Sequence, residues 1–162
     1  RNLLNAIRYA KIVVPSGALA GSDAIGAVAG TVESLQHTTT KPAGSLRTAP
    51  YVRENKIALD HLEAPQLIFE GGLEDALRGF PENINVAATL WLASRFDDIR
   101  IRIIADPSTP YNTHEVICSG PFGTIQTTTR NLPSANPKTS QLAVSSAQSL
   151  LLGMSKRLHV GS

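Results

Sequence analysis

The strongest structural constraint in this sequence is a short stretch in which apolar and charged residues alternate strictly. Between residues 99 and 103 the sequence reads IRIRI. Because successive side chains of a β-strand point to opposite faces, this pattern predicts a strand with one face in a core and the other toward water. Pro107 has no amide hydrogen to donate to a ladder, so the strand should end at Asp106-Pro107.

A histidine follows this strand after the next polar turn. The turn contains Pro107 and Pro110, and the chain then extends again over residues 112–118, which places His114 near an end of the sheet. Before the strand, residues 86–93 are apolar almost all round, which predicts a buried helix. A side chain held near a strand end is a candidate for chemistry. A partly buried structural histidine would give the same pattern.

The rest of the sequence predicts further strands and helices around this centre. The predicted strands cover residues 11–14, 32–40, 66–70 and 122–130, and the predicted helices cover residues 24–29, 57–62, 73–79 and 140–152. With residues 100–129 as an antiparallel meander, these elements predict an α+β fold: one mixed, mainly antiparallel sheet packed against helices. No repeat or linker divides the chain, so we expect one domain over residues 1–162.

Composition and charge exclude several classes of function. The chain has 15 basic and 13 acidic residues with no basic run, so neither nucleic acid nor a membrane surface is an expected partner. The apolar runs are too short to cross a bilayer and no segment resembles a signal peptide, so we expect a cytoplasmic protein. Cys118 is the single cysteine, which excludes an internal disulfide and a cysteine-rich zinc site. We expect no metal.

Two segments leave a structural and a functional interpretation open. The glycine-marked turn at residues 15–21, between a predicted strand and a predicted helix, is able to bind an anion through its amides. A tight connection explains the same residues, and the spacing alone favours it. His37 alternates in register with Leu35, which favours a structural histidine over a catalytic one. A serine hydrolase using Ser16 or Ser119 is disfavoured, because no G-x-S-x-G elbow is present.

Six segments resemble L-aspartate dehydrogenase, in the order of that family's C-terminal, substrate-side domain. They are VPSGALAGSDAI (14–25), TTKP (39–42), FEGG (69–72), FPENINVAAT (80–89), RIIADP with NTHE (102–107 and 112–115) and NPKTS (136–140). The resemblance implies an α+β sandwich whose sheet is used in dimerisation, and so a homodimer through the sheet. It also implies NAD(P)-dependent oxidative deamination of L-aspartate to iminoaspartate and oxaloacetate, or the reverse reaction of oxaloacetate with ammonia.

The dinucleotide-binding half of that family is not recognisable in these 162 residues. No strand is followed by G-x-G-x-x-G, so the Rossmann domain that would hold NAD or NADP is absent from this chain. We therefore expect a catalytic and dimerisation domain, and its activity as an isolated chain is an open question. The alternative is a non-catalytic oligomerisation or small carboxylate-binding module derived from the same family.

The resemblance assigns a catalytic and a cofactor-binding residue. His114 matches the family's catalytic position in A-D-P-x(4)-N-x-H-E, where an imidazole would take the proton of the substrate ammonium or activate the water that hydrolyses the imine. Asn85, in N-V-A-A-T, matches the family's cofactor-contacting asparagine, whose amide suits the nicotinamide end of NAD(P). Capping of the following helix by Asn83 or Asn85 is the structural alternative.

Candidate substrate-binding residues lie at the start of the last predicted helix and in the glycine-marked turn. Lys138, Thr139 and Ser140 together offer a cation, hydroxyls and backbone amides to a carboxylate. Ser16 is the fourth candidate. Simple helix capping by Thr139 or Ser140, with Lys138 in solvent, explains the same sequence equally well.

Overall fold

The computed structural model describes residues 9, 11–82, 84–132, 134, 139–155 and 157. The helices are α1 (Ser22–Ala27), α2 (Pro50–Glu54), α3 (Leu73–Gly79), α4 (Asn85–Ser94) and α5 (Gln141–Gly153), with a 3-10 helix at Ala43–Leu46. The strands are β1 (Ser34–Pro42), β2 (Gln66–Gly71), β3 (Ile99–Asp106), β4 (Asn112–Gly120) and β5 (Gly123–Asn131). None of the helices within these ranges is both long and apolar enough to cross a membrane.

The described strands form one sheet in the order β2-β3-β1-β4-β5. The pair β1 and β3 is parallel, and the pairs β2–β3, β1–β4 and β4–β5 are antiparallel. The sheet is therefore mixed and mainly antiparallel, and the α+β class predicted from the sequence is confirmed.

The predicted meander of residues 100–129 is wrong at one junction. Strand β1 lies between β3 and β4, where Leu35 is opposite Ile99 on one side and opposite Cys118 on the other. The hairpin of β4 and β5 forms as expected. Residues 107–111 cross over the end of β1, a gap of about 10 Å that five extended residues span easily. The proline-marked turn predicted a break in the strand but carried no information about which strand follows in space.

Two predicted elements are absent from their predicted positions. Residues 11–14 form no strand, and Ile12, Val13 and Val14 are about half exposed. Residues 57–62 form no helix; the helix of this region is α2, which begins at Pro50. Proline is favoured in a first helical turn because its missing amide hydrogen has no partner there in any case. Both predictions relied on short apolar runs without clear periodicity, and such runs are poor evidence for a strand or a helix.

The core lies between one face of the sheet and the helices. On β3 the inward residues Ile99, Ile101 and Ile103 are at most 1% exposed, and Cys118 on β4 is fully buried beside them. Ile25 of α1 and Leu90 of α4 pack in the same cluster. Burial of apolar surface of this kind is the main favourable term in folding.

The opposite face of the sheet carries charged and polar side chains. Arg100 and Arg102 both lie near the carboxylate of Glu70 on β2, at 3.7 and 3.1 Å. Ile117, on β4 of the same face, is 37% exposed. The strict alternation of residues 99–103 therefore separates a buried face from an open one, as the sequence predicted.

Candidate active site

One cavity of about 140 Å³ lies where the ends of several elements meet. It is bordered by the turn before α1, the end of β1, and the starts of α4, β4 and α5. The residues that line it are Ser16, Gly17, Ala18, Lys41, Glu82, Asn85, Val86, Thr89, Asn112, His114, Thr139, Ser140 and Ala143. Five of the six candidate residues from the sequence thus share this cavity, and the sixth, Lys138, lies outside the described residues.

His114 is held at the cavity by strand β1. It lies directly opposite Thr39 in the β1–β4 register and is 5% exposed. Its Nδ1 atom is 3.1 Å from Thr39 Oγ1 and 3.3 Å from Nε2 of His37, and the two imidazole rings stack with centroids 5.5 Å apart. Since Nδ1 is engaged inside the sheet, Nε2 is the ring nitrogen left for a molecule in the cavity.

Burial keeps both imidazoles neutral near pH 7. Burial is the largest cause, and together with the charges of His37 and Lys41 it lowers the pKa of His114 to about 3. It also lowers the pKa of His37 to about 4, with a smaller contribution from Lys41. Desolvation disfavours the charged form of a group, so a histidine inside a sheet releases its proton more readily than one in water.

Lys41 brings a partly buried cation to the same cavity. Burial lowers the pKa of its ammonium to about 8, which leaves it largely protonated at pH 7. No ion pair joins Lys41 to a carboxylate of the described residues. A buried charge is costly unless it is paired, so the cavity favours an anion beside Lys41.

Sequence reasoning missed both Lys41 and the contact of His37 with His114. Lys41 was interpreted as the end of a strand before Pro42, although it belongs to the TTKP segment of the resemblance. A usable signal existed. Residues 35, 37, 39 and 41 alternate along β1, so a histidine, a threonine and a lysine fall on the same face as buried Leu35.

The Asn85 side chain does not cap α4. The capping residue is Ile84, which forms no side-chain capping bond, and Asn85 is the exposed first residue of the helix. Its carboxamide makes no hydrogen bond to any residue of the described ranges, whereas its backbone carbonyl accepts one from Thr89 Oγ1. The capping alternative therefore fails for Asn85, and Asn83 lies outside the described residues.

Two of the other candidates already have partners within the chain. Ser140 caps α5 by accepting a hydrogen bond from the amide of Ala143 at 3.2 Å, which is the structural alternative stated above. Ser16 Oγ is 3.0 Å from Ser146 Oγ, and the amide of Gly17 donates a hydrogen bond to Ser146 Oγ, also at 3.0 Å. These bonds tie the glycine-marked turn to α5, and together the two segments form one wall of the cavity.

The family model described as aspartate dehydrogenase, C-terminal, matches residues 23–154. This chain belongs to that family. The matched range contains β1, α4 and β4, which supply Lys41, Asn85 and His114 to the cavity.

Relatives of this family member are similar over nearly all of its length. An L-aspartate dehydrogenase from Methanosarcina acetivorans is 44% identical over 155 residues, and one from Methanococcus maripaludis is 42% identical over 154 residues. Each alignment covers 94% of this chain and 57% of the relative. The crystal structure of aspartate dehydrogenase from Thermotoga maritima superimposes with a TM-score of 0.74 at 30% identity, covering 93% of this chain and 56% of that one. This aspartate dehydrogenase domain thus spans somewhat over half the length of the relatives it matches.

Proposed function

We propose that this domain is the substrate-side part of an NAD(P)-dependent L-aspartate dehydrogenase. The observation that carries the proposal is the shared cavity, in which an imidazole meets a partly buried ammonium and a carboxamide that have no side-chain partner among the described residues. A protein cavity of about 150 Å³ holds a molecule of benzene's size. The space here is similar, about 140 Å³, and suits a small polar substrate such as a four-carbon amino acid.

His114 is proposed as the acid and base of the reaction. Oxidation of an amino acid requires a neutral amine, so Nε2 of His114 takes one proton from the substrate ammonium before a hydride leaves the α-carbon. After His114 has released this proton to solvent, its neutral imidazole activates the water that adds to the imine, and ammonia leaves to give oxaloacetate. Two substrate carboxylates beside His114 would raise its pKa from the low value that burial sets.

Lys41 is proposed to bind a carboxylate of the substrate. Its ammonium lines the cavity without an ion pair to the described residues, and a bound carboxylate would supply the missing opposite charge. Ser16, Thr139 and Ser140 line the same wall and are proposed as further polar contacts, with Lys138 beside them in sequence.

Asn85 is proposed to hold the nicotinamide end of NAD or NADP. A carboxamide has both a hydrogen-bond donor and an acceptor, which match the acceptor and donor of the nicotinamide amide. The Asn85 carboxamide uses neither group to cap α4. When bound, the cofactor accepts the hydride released from the substrate. NAD and NADP differ at the adenosine ribose, which is the part of the dinucleotide that a Rossmann domain binds. We propose that a domain of that kind, not contained in these 162 residues, completes the site.

A homodimer through the sheet belongs to the same proposal. The open face of the sheet, with Ile117 partly exposed between polar neighbours, is the surface we assign to the partner. Ile117→Asp should shift the sedimentation coefficient from dimer to monomer, and Ile12→Asp, at a more exposed position outside the strands, should leave it unchanged. A cytoplasmic location is also proposed, since nicotinamide dinucleotides are substrates held inside cells.

A second candidate function is a carboxylate-binding module without catalysis. The observation in its favour is that the cation and its cavity are present while the sequence contains no G-x-G-x-x-G turn. Such a module would bind oxaloacetate or aspartate through Lys41 and transfer no hydride.

Turnover by the complete gene product separates the two candidates. Aspartate with NAD or NADP should produce reduced cofactor, and oxaloacetate with ammonia should consume it, whereas alanine, which lacks the second carboxylate, should react far more slowly. Calorimetric binding of oxaloacetate without any turnover in either direction would support the module and reject the dehydrogenase.

A further inference from the structure

The His37 side chain is fully buried beside the proposed acid and base. It lies two residues before Thr39 on β1, on the inward face, and its Nε2 atom is 3.3 Å from Nδ1 of His114. Its other ring nitrogen, Nδ1, is buried without a hydrogen-bond partner among the residues that the structure describes. The ring therefore has a single polar contact, and that contact is the neighbouring imidazole.

Counting protons decides how the two rings share this contact. A neutral imidazole carries one N–H and one bare nitrogen, so the proton of His37 is either on Nε2 or on Nδ1. With the proton on Nδ1, His37 would bury an N–H donor that has no acceptor, and buried orphan donors are rare because they lose their hydrogen bonds to water. With the proton on Nε2, the donor is satisfied by His114 and the unpaired atom is a bare acceptor.

The same count fixes the proton of His114. If His37 donates from Nε2, then Nδ1 of His114 must be bare to accept, and its own proton must be on Nε2. The Thr39 hydroxyl, 3.1 Å from the same Nδ1, either donates or accepts and so suits both arrangements. Thr39 therefore adds a contact but does not select a tautomer.

We propose that His37 is a positioning residue, which donates its Nε2–H to His114 and holds His114 in the Nε2–H tautomer. This rests on the proposed function, in which His114 is the acid and base. The resting site then presents an Nε2–H donor to the cavity, which hydrogen-bonds to and polarises the carbonyl oxygen of oxaloacetate. The site is thus set for reductive amination. Aspartate oxidation requires the other tautomer of His114, in which the protonated Nδ1 donates a hydrogen bond to Thr39 Oγ1 and Nε2 is bare to take the ammonium proton.

The charges around the pair support a neutral starting state. The positive charge of Lys41, at the end of β1, lowers the pKa of both rings. Among the described residues that line the cavity, Glu82 is the carboxylate. Burial and the Lys41 charge both disfavour an imidazolium, so each ring carries a single proton near pH 7.

Nitrogen NMR of the complete gene product, labelled with ¹⁵N-histidine, reads the tautomer directly. At neutral pH the wild-type His114 signals should show a protonated Nε2 and a bare Nδ1. His37→Gln retains a donor at the position of Nε2 and should preserve this pattern, whereas His37→Leu removes the donor and should give a mixture of both tautomers. A wild-type His114 protonated on Nδ1 would overturn the proposal, and this spectrum needs no variant to fold.

Kinetics of the same proteins give a second readout. His37→Leu should lower kcat for oxaloacetate amination at least tenfold with KM for oxaloacetate within about twofold, and His37→Gln should recover most of the loss. Equal losses in the two variants would mean that the ring merely fills space, and would overturn the proposal. Absence of turnover in the wild type, together with the expected NMR pattern, would reject the dehydrogenase function and still support the assignment of His37.

Discussion

Strands β1 and β3 lie side by side and run parallel, yet their inward faces differ in character. On β3 the residues Ile99, Ile101, Ile103 and Ala105 are all apolar and buried. The residues opposite them on β1 are Leu35, His37, Thr39 and Lys41. Two strands in one layer of the sheet thus face the same interior with opposite chemistry.

The difference separates the residues that stabilise the fold from those that serve the site. Buried aliphatic side chains contribute roughly 1.5–3 kcal/mol each, whereas buried polar groups cost free energy unless they are hydrogen-bonded or paired. A strand whose inward face is polar therefore adds little stability of its own. Strand β3 supplies the packing against which β1 holds the His37 imidazole and the Lys41 ammonium and contacts His114 of β4.

The largest effect on stability should come from shortening the apolar strand. Ile101→Ala leaves a cavity in the packed core and should lower the free energy of unfolding by about 2–5 kcal/mol, measured by urea denaturation. Ile104→Ala, on the opposite and partly exposed face of β3, is the matched control and should cost clearly less. Turnover per folded molecule should be unchanged in both variants, and a selective loss of turnover in Ile101→Ala would contradict the division between the strands.

Removing the Lys41 cation of β1 should have the opposite outcome, because the fold should become more stable and turnover should fall. Lys41→Met should raise the free energy of unfolding by about 1–3 kcal/mol, because it removes a partly desolvated charge that has no ion pair among the described residues. It should also lower kcat/KM for aspartate by roughly 30-fold or more, since truncating one partner of a buried charge pair costs about 2–5 kcal/mol of binding. Lys56→Met, at an exposed position, should change neither quantity. An unaltered kcat/KM in Lys41→Met would remove this lysine from the substrate site.

The two buried imidazoles should make the protein sensitive to mild acid. Their pKa values are lowered from 6.5 to about 4 and about 3, so the unfolded chain binds more protons than the folded one below pH 6.5. The free energy of unfolding should therefore fall as the pH drops from 6.5 to 5, by at most about 1.4 kcal/mol per pH unit for each histidine. His37→Gln should reduce this slope by about half, and His61→Ala, at an exposed site, should leave it unaltered. A flat profile over this range in the wild type would contradict the burial of neutral rings.

The smallest effect should come from the wall of the cavity. Ser146→Ala removes the hydrogen bonds to Ser16 Oγ and to the Gly17 amide, and should lower the free energy of unfolding by about 0.5–1.5 kcal/mol. KM for aspartate should rise modestly while kcat changes little, because the turn at residues 15–21 loses its tie to α5. Ser145→Ala, one residue earlier and exposed, is the control, and an equal effect there would argue against a tether.

Local pattern in the sequence was sufficient for β3 and insufficient for its neighbours. Strict alternation identified the strand and its buried face, because side-chain direction is a local property of extended backbone. The placement of β1 between β3 and β4 depends on pairing over more than sixty residues, which no local period records. The meander prediction was wrong for this reason.

The candidate site was predicted in part. The resemblance supplied His114 and Asn85, and the structure brings both to one cavity with Ser16, Thr139 and Ser140. Lys41 was missed because a lysine before a proline resembles a solvent-exposed strand end, and its burial arises from elements distant in sequence. The tautomer of His114 depends on distances between two strands, which the sequence alone does not contain.

The most direct test of the account is steady-state turnover of aspartate by the complete gene product with His114 replaced by alanine. A general acid and base typically contributes about 10²- to 10⁴-fold, so kcat should fall by at least 100-fold in His114→Ala, and His61→Ala should match the wild type. Undiminished turnover in His114→Ala would contradict the proposal that the polar face of β1 and its partner imidazole form the reactive centre.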